Sequence, residues 1–128
     1  MSSLIIDTNA YSRFMRGDAQ AIAVLTDAVE IYLPLIVLGE LLAGFAAGAR
    51  AQANRDDLAE FMASAHVNLM RPDEKTARQY ADLYVLLRGQ GTPIPTNDLW
   101  IAALARQHRL PLLTFDAHFR NVSGLILL

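Results

Sequence analysis

The sequence predicts an α/β domain built on a parallel sheet with helices on both faces. Three observations carry that expectation. Short β-branched apolar runs alternate with longer segments of helical period. The first run, Leu4-Ile5-Ile6, is apolar throughout, as suits a strand buried on both faces. A chain of 128 residues is the size of one domain, 1–128, with room for a real core.

The elements follow in order. After Asp7-Thr8-Asn9, residues 10–15 read as a short helix stopped near Gly17. Asp18 caps a second helix, with Ile22, Leu25 and Val29 at helical spacing. Glu30 to Leu33 is a second strand, and Pro34 suits the first turn of a helix running to about Gly48. Arg50 to Ala63 forms a hairpin with it, turning Leu58, Phe61 and Met62 inward. His66 to Met70 is the third strand. Pro72 and Asp73 open a long helix to about Arg88, with a stripe of Ala77, Tyr80, Tyr84 and Leu87. Thr96 or Asn97 caps the helix Asp98 to His108, whose Leu99 to Ala105 stretch is apolar nearly all round and so buried. Leu112 to Thr114 is a fourth strand, and Leu125 to Leu128 a last one.

Composition bounds the function. With no cysteine there is no disulfide framework and no thiolate zinc site, in keeping with a reducing, cytoplasmic setting. A net charge of −2 gives no general pull towards nucleic acid, although ten of the eleven cations are Arg, the better fork for phosphate. The apolar fraction of 53% and mean hydropathy of +0.24 point to surface buried against a partner or a second copy. Residues 31–49 approach the length of a membrane span, but Pro34 breaks the run and Glu40 falls near its middle, where a charge is costly. No membrane association is expected, and the first residues lack the basic region of a signal peptide.

Four acids stand in apolar settings. Asp7 ends the first strand, at the sheet edge where open α/β folds place ligands. Glu40 interrupts an apolar helix, Asp98 lies in the first turn of the most buried helix, and Asp116 follows the fourth strand. Each has an ordinary reading: Asp7 as a helix cap, Asp98 and Asp116 as partners of a helix dipole, Glu40 as a side chain reaching the surface. Together they are harder to explain, because buried carboxylates are costly unless paired with a cation or a metal. Lys75 is the single lysine, and the arginines lie mostly outside these stretches. Such a set asks for a hard divalent ion with oxygen ligands.

The segments Asp7-Thr8-Asn9, Glu40-Leu41-Leu42-Ala43-Gly44, Asn97-Asp98-Leu99-Trp100-Ile101-Ala102-Ala103 and Thr114-Phe115-Asp116-Ala117-His118-Phe119 resemble the PIN-domain signature, and more closely that of VapC-type toxins of type II toxin–antitoxin pairs. The resemblance covers the whole chain, closing with Val122-Ser123-Gly124-Leu125. It implies a three-layer α/β/α fold with a central parallel sheet of four to five strands. It also implies a metal-dependent endoribonuclease that hydrolyses RNA with metal-activated water. Asp7, Glu40, Asp98 and Asp116 would then be ligands of Mg2+ or Mn2+, directly or through water. Asn9 and Thr114, and with them Asn97, would orient carboxylates or the bound water. The implied partners are RNA, a cognate antitoxin whose chain blocks the acidic pocket and offers an Arg in place of metal, and a second copy of the chain. The two copies would pair through the helix around Leu38 to Phe45, within a larger toxin–antitoxin assembly.

Other residues read less sharply. His118 stands two residues from Asp116, where proton transfer competes with the commoner structural role beside a buried Phe. Arg13 and Arg16 are candidates for RNA phosphate contacts against the commoner solvated case. A protein-binding module with an incidental acidic pocket and a structure-specific DNA nuclease are the alternatives. A phospho-acceptor receiver domain needs a Lys near its acids, and Lys75 opens a polar helix instead.

Overall fold

A computed structural model of the chain describes residues 2–128. Its elements are β1 (Leu4–Ile6), α1 (Thr8–Met15), α2 (Ala19–Asp27), β2 (Ile31–Pro34), α3 (Leu35–Ala46), α4 (Ala51–Ala63), β3 (Val67–Met70), α5 (Glu74–Gly89), α6 (Thr96–His108) and β4 (Leu112–Leu113). A 3-10 turn over Ala117–Asn121 follows. The four strands form one parallel sheet in the order β3-β2-β1-β4. Every residue of β1 is buried, as its unbroken apolar run requires in a central strand. The strand order steps from β1 through β2 to β3 and then back past β1 to β4, so the right-handed rule for parallel crossovers puts α1 to α4 over one face and α5 and α6 over the other, in three layers. No helix among the described residues is long and apolar enough to cross a membrane.

The chain reverses direction in the sheet at β1, whose neighbours are β2 on one side and β4 on the other. That switch point opens a crevice beyond the strands' C-terminal ends, next to Asp7. α6 is the core's main helix: Leu99 and Ile101 through Ala105 are all buried, as the apolar run predicts.

Several expected details shift. In α2 the buried positions are Ala21 and Leu25, while Ile22 is 39% exposed and Val29 lies beyond the helix, 51% exposed. In α5 the buried stripe is Thr76, Leu83 and Leu87, and Ala77 and Tyr84 face outward. The two stripes share only Leu87, with Tyr80 partly buried beside them, and the phenol of Tyr84 stays wet, stacked on Tyr80 and under the Arg88 guanidinium. Pro34 closes β2 and stands before α3 rather than inside its first turn. α6 begins at Thr96 behind Pro95, with no side-chain cap from Thr96 or Asn97, which leaves Asn97 free to reach Glu40. β4 is two residues long, without Thr114. The expected last strand shrinks to a single parallel bridge from Leu127 to Leu112, since so short a β4 offers nothing further to pair with.

Thr76 ties α5 to α6. Its backbone and hydroxyl complete a capping box with Asp73, and the hydroxyl also donates to the Gln107 side chain. Thr76→Val keeps the shape but removes those bonds in a fully buried position. The expected loss is about 1–2 kcal/mol, read as a lower urea midpoint with an unchanged slope.

Candidate metal centre

Asp7 is fixed from two sides. It is the N-cap of α1, and its Oδ1 accepts from the Ala10 amide at 2.8 Å. Its Oδ2 accepts from the Thr114 hydroxyl. Because β4 pairs with β1 in register Ile6 to Leu113, the residue after β4 lands beside the residue after β1. Thr114 also accepts from the Asp116 amide at 3.0 Å, so one hydroxyl spaces the first and fourth acids.

Asp116 begins the 3-10 turn, accepting from the His118 amide at 2.9 Å and lying 2.9 Å from His118 Nδ1. The same Nδ1 is 3.7 Å from Asp98 Oδ2, in the first turn of α6. Glu40, on α3, accepts from the Thr8 hydroxyl at 2.7 Å and from the Asn97 amide at 3.4 Å. All four acids line one cavity of about 480 Å³, together with Thr8, Asn9, Asn97 and His118.

The sequence expectations meet this geometry unevenly. Asn9 lines the cavity but bonds to none of the acids among the described residues. Thr8 orients Glu40, a role that the sequence signals only by its place between Asp7 and Asn9. Phe119 is buried, while the half-exposed His118 imidazole turns to Asp98 and Asp116. Arg13 lies over the Phe115 ring and pairs with Asp18 at 3.5 Å. Arg16 lines a different groove, with Tyr11 and Asp57.

Crowding and burial disfavour charge here. Burial raises the Asp7 carboxyl pKa above 3.8, against the Thr114 and Ala10 hydrogen bonds and with help from Asp116 and Glu40. Asp98 is pushed up to about 6, first by burial, then by Asp116, Glu40 and Asp7, with His118 opposing. Among the described residues no Lys or Arg forms an ion pair with any of the four. Oxygen donors in excess, without a balancing cation, fit a hard divalent ion. Asp98, Asp116 and His118 bring one ligand atom each within 4.8 Å of one another, while Asp7 and Glu40 face the same cavity from further round.

One consequence follows for the metal-free protein. Between 3.8 and about 6 the folded Asp98 keeps a proton that the unfolded chain has lost. The associated stability is complete below pH 4 and is lost as pH rises through about 6. Urea midpoints in chelator should therefore fall from pH 4 to pH 7, and the fall should be shallower in Asp98→Asn.

A single-sheet α/β domain with an acidic crevice at its switch point is the class that fold and site define. The family model for the PIN domain matches residues 4–125, and the chain belongs to that family. Within it, the chain is similar to the VapC proteins. It is 30% identical over 120 residues to Ribonuclease VapC5 of Mycobacterium tuberculosis, covering 94% of this chain and 87% of that protein. The solved VapBC-5 structure from the same organism matches with TM-score 0.73 and 28% identity over 98% of this chain and 95% of that one. VapBC2 from Rickettsia felis, solved bound to a promoter DNA fragment, shares the fold with TM-score 0.86 at 24% identity, covering 100% and 98%.

Proposed function

We propose that this protein is an Mg2+- or Mn2+-dependent endoribonuclease, the toxin of a toxin–antitoxin pair, restrained by a cognate antitoxin. The observation that carries the reading is the gathering of Asp7, Glu40, Asp98 and Asp116 around one cavity, with no Lys or Arg paired to them among the described residues. Similarity to Ribonuclease VapC5 and to a VapBC complex supports RNA as substrate and a protein inhibitor as partner.

Asp7, Asp98, Asp116 and Glu40 would hold the ion, directly or through water. When bound, a divalent ion polarises a phosphate oxygen and lowers the pKa of water. Thr114 sets the spacing of Asp7 and Asp116, and Thr8 and Asn97 hold the Glu40 carboxylate towards the cavity. Asn9, exposed at the rim, is placed to orient a phosphate or water. His118 Nδ1 lies between the Asp98 and Asp116 carboxylates at the mouth of the site. The reaction proposed is direct hydrolysis by water, without a covalent protein intermediate.

Self-pairing through α3 is part of the reading. Leu35 and Leu42 are each 40% exposed on that helix. The test is incubation of purified protein with a mixed RNA pool and Mg2+, alongside its mass by light scattering. Discrete RNA fragments and a dimer mass are expected. Intact RNA would overturn the nuclease reading, and a monomer at all concentrations would overturn the pairing.

A further inference from the structure

We propose a second anion site, specific for phosphate, at the opposite end of α6 from the carboxylates. A cavity of about 490 Å³ opens there between α5, the last turn of α6 and the segment after the 3-10 turn, lined by Gln79, Arg106, Arg109, Gly124 and Ile126 among others. It contains two arginines and no acid. Arg106 lies eight residues along α6 from Asp98, about 12 Å of helix rise.

Two residues that line this cavity each carry a buried polar atom without a hydrogen-bond partner: Arg106 NH1 and Gln79 Oε1. Neither Arg106 nor Arg109 forms an ion pair among the described residues. The neighbouring Gln107, by contrast, is satisfied by Thr76 and Asp73. A buried guanidinium N–H without an acceptor is costly, and an oxyanion is the ligand that removes the cost. The Gln79 amide, turned end for end, would present its NH2 to the same anion and relieve its own unpartnered oxygen. Arg109, at the αL residue closing α6 (φ 54°), adds the second charge. A helix C-terminus already favours one cation through its dipole, but that leaves the buried orphan atoms unexplained.

The tetrahedral phosphate group is the shared chemistry, and it can come from free phosphate, a nucleotide or an RNA chain. Thermal unfolding is measured in EDTA, so that RNA is not cut, at fixed ionic strength set with chloride. The probes are inorganic phosphate, adenosine 5′-monophosphate, and a short RNA without terminal phosphates. At least one should raise the unfolding temperature, by about 4 °C at ten times its Kd. Arg106→Gln and Gln79→Leu should each lose the shift, and Asp7→Asn should keep it. Which probe acts at lowest concentration identifies the source. No shift beyond the chloride control with any probe, or a shift that survives in a folded Arg106→Gln, would overturn the proposal. Since no cleavage is read, failure here leaves the nuclease reading standing, and the reverse also holds.

Discussion

Asp7→Asn should abolish RNA cleavage, by at least about a thousandfold, while leaving the protein folded. The size follows from position. Supporting residues around a metal typically cost 10–100-fold when removed, and a central ligand should cost more. The fold survives because Asn keeps an oxygen for the Ala10 amide, and its NH2 can donate to the Thr114 hydroxyl in place of the present bond. Burial already disfavours the Asp7 carboxylate, so the neutral amide should unfold no earlier than wild type in metal-free buffer at neutral pH. A folded Asp7→Asn that cuts RNA at the wild-type rate would remove Asp7 from the chemistry.

Removal of metal is the second large effect. In excess EDTA, cleavage should fall below detection, and Mg2+ or Mn2+ should restore it while Ca2+, larger and less demanding in geometry, should do so poorly. The same ions should raise the unfolding temperature, because they relieve repulsion among Asp7, Asp98, Asp116 and Glu40. A purified protein that cuts RNA equally well in EDTA would mean that the carboxylates work without an ion.

Much of the fold and the acidic set was legible in the residues, and the reasons differ by element. β1 announced itself because a strand buried on both faces needs an unbroken apolar run, and the middle of α6 because a deeply buried turn needs the same, though Trp100 there is only partly buried. The four acids stood out because apolar context makes a carboxylate conspicuous. What the residues did not disclose depends on tertiary register. Tyr84 and Leu83 both continue a helical stripe, and it is Leu83 that enters the core while the Tyr84 phenol stays at the surface. Thr8 touches Glu40 across 32 positions of sequence, a bond set by how α3 leaves β2. His118 turns to Asp98 only because the 3-10 turn aims it there, while the adjacent Phe119 goes into the core. The last strand failed for want of a partner longer than two residues.

If the carboxylate cavity directs water, rather than the RNA's own 2′-hydroxyl, at a phosphodiester bond, the chemistry of the new RNA ends records it. Mapping RNA ends after brief expression of wild type beside Asp7→Asn tests it most directly. New ends at defined positions, free of 2′,3′-cyclic phosphate and absent in Asp7→Asn, are the predicted result. Cyclic phosphate ends, or the same new ends in both strains, would contradict it.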